Sequence, residues 1–117
     1  MKDWILLALR AFSEGEAPIE HDITLLVGGF LVSGFIISYQ KYMQHHPTMA
    51  MLESFRQEED ARDQEQKEEV SNFIHLRDAK YYVPGSAPIP GNTGVFMRIS
   101  LESVQGFTLG SLVAEPA

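Results

Sequence analysis

Residues 23–38 carry no charge, and their alternation predicts a β-hairpin. Gly28-Gly29 divides the run into two blocks rich in β-branched and aromatic residues, and glycine supplies the positive φ angles of a two-residue hairpin turn. A transmembrane helix is the alternative, because the run approaches the roughly 17 apolar residues of the shortest membrane spans. We interpret residues 22–38 as a hairpin. Alternate residues would share a face in each block: Ile23, Leu25 and Val27, then Phe30, Val32, Gly34 and Ile36.

The segment before the hairpin, residues 1–15, predicts an amphipathic helix that Asp3 caps and Gly15 ends. We expect this helix to cover one end of a sheet. The alternative is a helix that lies on a membrane or on a hydrophobic partner, although only Lys2 and Arg10 supply positive charge. Its apolar residues recur at helical spacing: Trp4, Ile5, Ala8, Leu9 and Phe12.

Residues 39–70 predict a helical insertion that ends in an acidic arm. The helical period restarts at Tyr39, and Pro47 suits the first turn of a second helix. The last apolar residues, expected to anchor that helix, are Met51, Leu52 and Phe55. From Glu53 to Glu69 the sequence holds eight acidic and three basic residues, a net charge of −5 out of −7 for the whole chain. A helix that is polar on every side projects into solvent or frays, so we expect a weakly ordered arm.

The last third of the chain predicts three more strands. The strand patterns cover residues 73–83, 95–101 and 106–113, and residues 84–94 form a loop rich in glycine and proline. At 117 residues the chain is expected to form a single domain, 1–117. The element order predicts an α+β fold. The expected fold is a small, strongly bent, five-stranded antiparallel β-barrel with an N-terminal helix. The helical insertion lies between strands 2 and 3.

Composition narrows the possible chemistry. The chain lacks cysteine, which removes disulfides, thiolate catalysis and zinc–sulfur sites. Its net charge of −7 repels nucleic acid and anionic membranes. The pair His45-His46 lacks the spacing of a metal site, and we expect no metal and no cofactor. No nucleophile elbow or phosphate-binding loop is present, so we expect no enzyme. For His75 we expect a position at a sheet edge or a hydrogen-bonded ring, with a pH-sensitive contact as the alternative.

The strands resemble those of the Sm-like barrel, which is related in shape to the SH3-like barrel. The resemblance rests on Ile23-x-Leu25-x-Val27-x-Gly29 with Gly34, on Leu76-Arg77-Asp78-Ala79, and on Met97-Arg98 with Leu101 and Val104. By analogy with Sm-like rings, residues 95–101 and 106–113 are the expected sheet edges. The resemblance also implies an RNA-binding module as one alternative function. The sequence departs from the RNA pocket of that family, because Tyr39 and the insertion replace its Asp and Met-Asn. In addition, Ile99 follows Arg98 where the motif has glycine.

A second resemblance spans nearly the whole chain. The chain is similar to the gas vesicle accessory protein U family at three segments: Asp22-Ile23-Thr24-Leu25, Phe73-Ile74-His75-Leu76 and Gly106-Phe107-Thr108-Leu109-Gly110. The resemblance implies a cytoplasmic, gas-vesicle-associated protein that is not part of the shell and has no catalytic residues. Its expected partners are gas vesicle shell or other accessory proteins. A small membrane-anchored protein is a further alternative.

The expected mechanism is binding between proteins, including self-association into a homo-oligomer, without nucleic acid and without a membrane span. Apolar residues of the N-terminal helix and of the final strand would make the contacts, and the acidic arm would limit them by repulsion. The candidate interaction residues are Trp4, Leu9 and Phe12 in the helix, Phe107 and Leu109 in the strand, and Glu58, Glu59 and Asp60 in the arm.

Overall fold

The structure, a computed structural model, describes residues 3–59, 72–83, 85, 87–90 and 93–112. It begins with helix α1, Trp4–Phe12. The backbone N–H of Ile5 donates a hydrogen bond of 2.8 Å to the Asp3 carboxylate, which satisfies one of the free N–H groups of the first helical turn. The predicted helix and its cap are therefore confirmed.

The predicted hairpin is also confirmed, as strands β1 (Asp22–Val27) and β2 (Phe30–Ile37). Gly28 and Gly29 occupy its turn with φ angles of 58° and 85°. Two successive positive φ values match the right-handed twist of the strands on either side, and side chains other than glycine adopt them reluctantly. Within the part of the chain that the structure describes, no helix combines the length and apolar character needed to cross a membrane.

The insertion after β2 contains two helices, α2 (Tyr39–Gln44) and α3 (Pro47–Glu59). Ser38 caps α2, because its hydroxyl accepts a hydrogen bond from the N–H of Lys41. Pro47 opens α3, where its missing N–H costs no helical hydrogen bond. The chain is described again from Asn72, directly before strand β3 (Phe73–Tyr82).

Strand β4 (Val95–Ser100), a short 3₁₀ turn (Leu101–Ser103) and strand β5 (Val104–Leu109) complete the fold. The strands form one antiparallel sheet in the order β4-β3-β2-β1-β5. The five strands and the two predicted edge strands are confirmed. The expected closed barrel is not seen, because the sheet of the described residues remains open at β4 and β5. Strand β5 ends earlier than predicted, since Gly110 has a φ of 96°.

The core lies on one face of the sheet, and α1 contributes Leu6 and Leu9 to it. Bulges interrupt the β1–β5, β2–β3 and β3–β4 ladders, and bulges increase the local bend of a strand. A Cβ atom on Gly34, beside the β2–β3 bulge, would lie 3.1 Å from the Arg77 carbonyl oxygen. The buried cluster joins α1, all five strands and the 3₁₀ turn: Leu6, Leu9, Ile23, Leu25, Val32, Ile36, Ile74, Leu76, Ala79, Ile99, Leu101 and Val104.

Candidate interaction surfaces

The first candidate surface is the outer edge of β5. On its inner side, the N–H of Gly110 donates a hydrogen bond of 3.0 Å to the carbonyl oxygen of Asp22. Residues of an antiparallel strand alternate between bonding inward and outward, so Thr108, opposite Thr24, also bonds toward β1. The N–H groups of Phe107 and Leu109 therefore point away from β1. They are hydrogen-bond donors at the edge of the sheet, where another strand can pair.

The second candidate surface is the outer edge of β4, at the opposite end of the sheet. The N–H of Leu101 donates a hydrogen bond of 2.8 Å to the carbonyl oxygen of Asn72. This bond shows which alternate residues of β4 have backbone groups that point toward β3. By the same alternation, the backbone groups of Arg98 and Ser100 point outward. The Arg98 guanidinium lies 3.8 Å from the ring centroid of Phe73. This edge thus combines free backbone groups with a positive charge held over an aromatic ring.

Two predicted interaction residues of β5 have different environments. Phe107 lies opposite Leu25 and packs against the core, so part of its ring serves the fold. Leu109 lies opposite Ile23 at the end of the strand and is 62% exposed. Leu109 is therefore the more accessible apolar residue of this edge.

The predicted interaction residues of α1 also differ in solvent exposure. Leu9 is buried in the core cluster, whereas Trp4 and Phe12 are exposed. The Phe12 ring lies 6.3 Å from that of His21, centroid to centroid, in a tilted arrangement. Leu6 joins Leu9 in the core, so α1 packs on the sheet with its Leu6–Leu9 side and leaves the two aromatic residues accessible.

Helix α3 packs differently from the sequence-based expectation. Its apolar residues were expected to anchor it, but Met51, Leu52 and Phe55 are 65%, 47% and 61% exposed, so that expectation is wrong. A polar contact holds the helix instead. The Tyr39 hydroxyl donates a hydrogen bond to the Glu53 carboxylate, which Arg56 also contacts at 2.9 Å. This contact raises the pKa of Arg56, mainly through the hydrogen bond to Glu53.

The acidic residues proposed for interaction lie at the limit of the described chain. Glu58 and Glu59 are the last two residues of α3, and Asp60 lies outside the described residues. In the described part of the chain, Glu58 and Glu59 thus lie at the C-terminal end of α3, the end opposite Pro47. The rest of the arm falls outside the described ranges.

His75 lies at the centre of an aromatic group on the face of the sheet opposite the core. Its ring is 1% exposed, and its centroid lies 4.8 Å from that of Tyr42 and 5.6 Å from that of Tyr39. Burial, reinforced by the positive charges of Arg98 and Arg10, lowers the pKa of His75 from 6.5 to about 3. The ring is therefore neutral near pH 7. Because β3 lies between β2 and β4, the expected position at a sheet edge is wrong.

Among the described residues, no group of three or more histidine or acidic side chains is arranged to hold a metal ion. His45 and His46 each contact other groups: the ring of His45 stacks on Phe96 at 4.3 Å, and His46 accepts a hydrogen bond from the N–H of Thr48.

Two features were missed by reasoning from the sequence. One is the exposed face of α3, for which the charged run directly after Phe55 was a signal, because a helix that continues as a polar arm has no core to enter. The other is an exposed rim at the hairpin tip, where the ring of Phe30 meets that of Tyr81 edge-on at 6.3 Å. The glycine pair predicted the turn there, but the alternating pattern alone could not show how far the core extends.

Comparison with known protein families adds one finding. A family model described as "GvpU-like: Gas vesicle protein GvpU-like" matches residues 3–112, which is nearly the whole chain. The match includes the helix, all five strands and the insertion that carries α2 and α3. Neither the curated proteins nor the solved structures provide a match.

Proposed function

The chain belongs to the GvpU-like gas vesicle protein family, and from this premise we propose that it is a non-enzymatic accessory factor that self-associates. It acts in the cytoplasm beside gas vesicles, in their assembly or clustering. Its mechanism is binding between proteins: to further copies of itself and to gas vesicle shell or accessory proteins. Membership of a gas vesicle protein family supports the link to gas vesicles. The surfaces of the chain support the proposed self-association.

The observation that carries this proposal is the open sheet with β4 at one edge and β5 at the other. Edge strands present unpaired N–H and C=O groups, and these are a template for pairing with another chain. Pairing of β4 in one copy with β5 in the next would join two different surfaces. Such head-to-tail contacts close into rings or continue as open arrays.

Apolar side chains and charge adjust this association. Leu109 at the β5 edge and the exposed Trp4 and Phe12 of α1 supply apolar area to the contacts. The arm that begins with Glu58, Glu59 and Asp60 carries the same charge on every copy, and repulsion between arms opposes the association. Salt screens charges over about 8 Å at physiological ionic strength, so association should strengthen as salt is added.

Light scattering across a salt and concentration series tests the proposal. Leu109→Pro removes an outward N–H of β5 without removing a bond to β1, and proline is tolerated at sheet edges. Leu109→Ala is the matched control, because it shortens the side chain but keeps the N–H. We expect an oligomer that grows with ionic strength in the wild type and in the Ala variant, and a smaller species in the Pro variant.

The proposal fails if the wild type is a monomer at every salt and protein concentration. It also fails if the Pro variant associates as strongly as the wild type, because the outward N–H groups of the β5 edge would then play no part. A charge introduced by Phe107→Asp would test the same edge less specifically, since this ring also packs against the core. Circular dichroism of each variant establishes that the fold is retained before its association is compared.

A further inference from the structure

We propose that α3 forms a second self-contact, in which its exposed apolar face pairs antiparallel with α3 of another copy across a two-fold axis. This contact rests on the proposed function for its role, because it adds to the self-association of the sheet edges. It differs from the edge contact in residues and in symmetry, so the two can be tested separately.

The face is formed by Met51, Leu52 and Phe55. These positions lie next to each other on one side of a helix, since residues three and four apart are neighbours. All three side chains are about half exposed or more, and none of them belongs to the described core cluster. The side of α3 that carries Glu53 and Arg56 faces α2 and Tyr39. The apolar side is therefore directed away from the domain.

The sequence that directly follows α3 offers little to cover this face. Between Arg56 and Glu69 the sequence contains one small apolar residue, Ala61, among charged and amide side chains. The arm that follows α3 thus cannot supply an apolar surface to bury the ring of Phe55. A second copy can, because it presents the same three side chains, and a two-fold contact requires a surface that complements itself.

Charge selects the orientation of the pair. Residues 39–52 contain one lysine and no acidic residue, whereas the acids accumulate from Glu53 onward. A parallel pair would place the two acidic arms side by side. An antiparallel pair places the acidic end of each helix beside the other helix's N-terminus, which carries the positive end of the helix dipole. The 13 residues of α3 span about 20 Å, which separates the arms by more than a Debye length of about 8 Å.

The size of the face implies a weak contact. Three apolar side chains per copy bury far less than the roughly 1,200 Å² of a stable interface. A membrane surface is disfavoured as the occupant, because anionic headgroups would repel the acids directly after the face. The antiparallel pair is thus a weak contact that gains strength when other contacts bring the copies together.

Cysteine cross-linking tests this proposal directly, because the chain contains no cysteine. Leu52→Cys places a thiol near the proposed two-fold axis, and Ser54→Cys places one on the opposite side of the same exposed helix. Thr48→Cys reports orientation: its two copies would be adjacent in a parallel pair but about 12 Å apart along the axis of an antiparallel pair. Each full-length variant is oxidised mildly and its disulfide-linked dimer is measured.

We expect Leu52→Cys to form at least fivefold more dimer than Ser54→Cys or Thr48→Cys, and Phe55→Asp to abolish the difference. The dimer should persist when Leu109→Pro is added, which separates this contact from the sheet edges. Equal yields at the three positions would overturn the helix contact, and a high yield at Thr48→Cys alone would overturn its orientation. Co-sedimentation with anionic vesicles that depends on Phe55 would also overturn it, because the face would then bind lipid.

Discussion

Replacement of His75 by phenylalanine should remove the main pH dependence of folding stability between pH 6.5 and pH 5. The ring lies against Tyr39 and Tyr42 of α2 and is almost completely buried. Its Nε2 atom has no hydrogen-bond partner among the described residues. Phenylalanine has a similar shape and needs no partner, so the aromatic group can keep its packing. What the variant loses is the ability to bind a proton.

The magnitude follows from the lowered pKa of His75. The folded protein holds this pKa at about 3, compared with 6.5 in the unfolded chain. As the pH falls below 6.5, the unfolded chain binds a proton that the folded protein does not, so stability is full above pH 6.5 and is lost toward pH 3. At about 1.4 kcal/mol per pH unit, the loss between pH 6.5 and pH 5 is roughly 2 kcal/mol.

Urea unfolding at pH 7.5, 6.5, 5.8 and 5.0 measures this effect in the wild type and in His75→Phe. The difference between the two proteins cancels other groups, including Glu20, whose pKa is lowered by its hydrogen bonds to Lys41 and Arg77. A low protein concentration keeps self-association from shifting the midpoints. Parallel pH slopes for the two proteins would refute the reasoning, as would a His75 ring whose NMR signals titrate near pH 6.5.

Three further changes test the fold. Gly94→Ala should lower the free energy of unfolding by about 1–3 kcal/mol and lower the melting temperature, because a Cβ atom would lie 2.3 Å from the Asp78 backbone. In the control Gly106→Ala, the Cβ atom meets open space, so the melting temperature should be unchanged or higher. Asp3→Ala should lower stability by about 1 kcal/mol in thermal unfolding, because α1 loses its N-cap. Ser33→Ala should increase amide hydrogen exchange at Leu112, since the Ser33 hydroxyl accepts that N–H at 3.0 Å.

Local patterns in the sequence predicted most of the elements, because short-range chemistry determines them. The hairpin turn depends only on the backbone freedom of Gly28-Gly29. The cap depends only on a hydrogen bond between Asp3 and the first turn of α1. Pro47 marked the start of α3 for the same local reason. The edge strands, by contrast, were expected from the resemblance to Sm-like barrels, and the strand order confirms them.

Features that depend on contacts between distant residues were not predicted. The alternation in β3 showed His75 between two apolar residues, but its burial depends on α2, which crosses that face of the sheet with Tyr42. The β3–β4 register shifts at a bulge where Asp78 adopts a φ of 54°, and no local pattern marked that conformation. Whether β4 and β5 meet is also a long-range property, and the expected closure did not follow from the strand order.

The two proposed contacts have different consequences for assembly. Pairing of β4 with β5 uses two edges of each copy and, alone, produces a ring or a linear array. A two-fold contact through α3 adds a third connection, which joins one array to another. Because neither contact needs to be strong, linked copies gain stability from their number. In this proposal, repulsion between arms of like charge sets the ionic strength at which the contacts form. A chain with two sheet edges and one helix face would then hold gas vesicles together through many weak contacts.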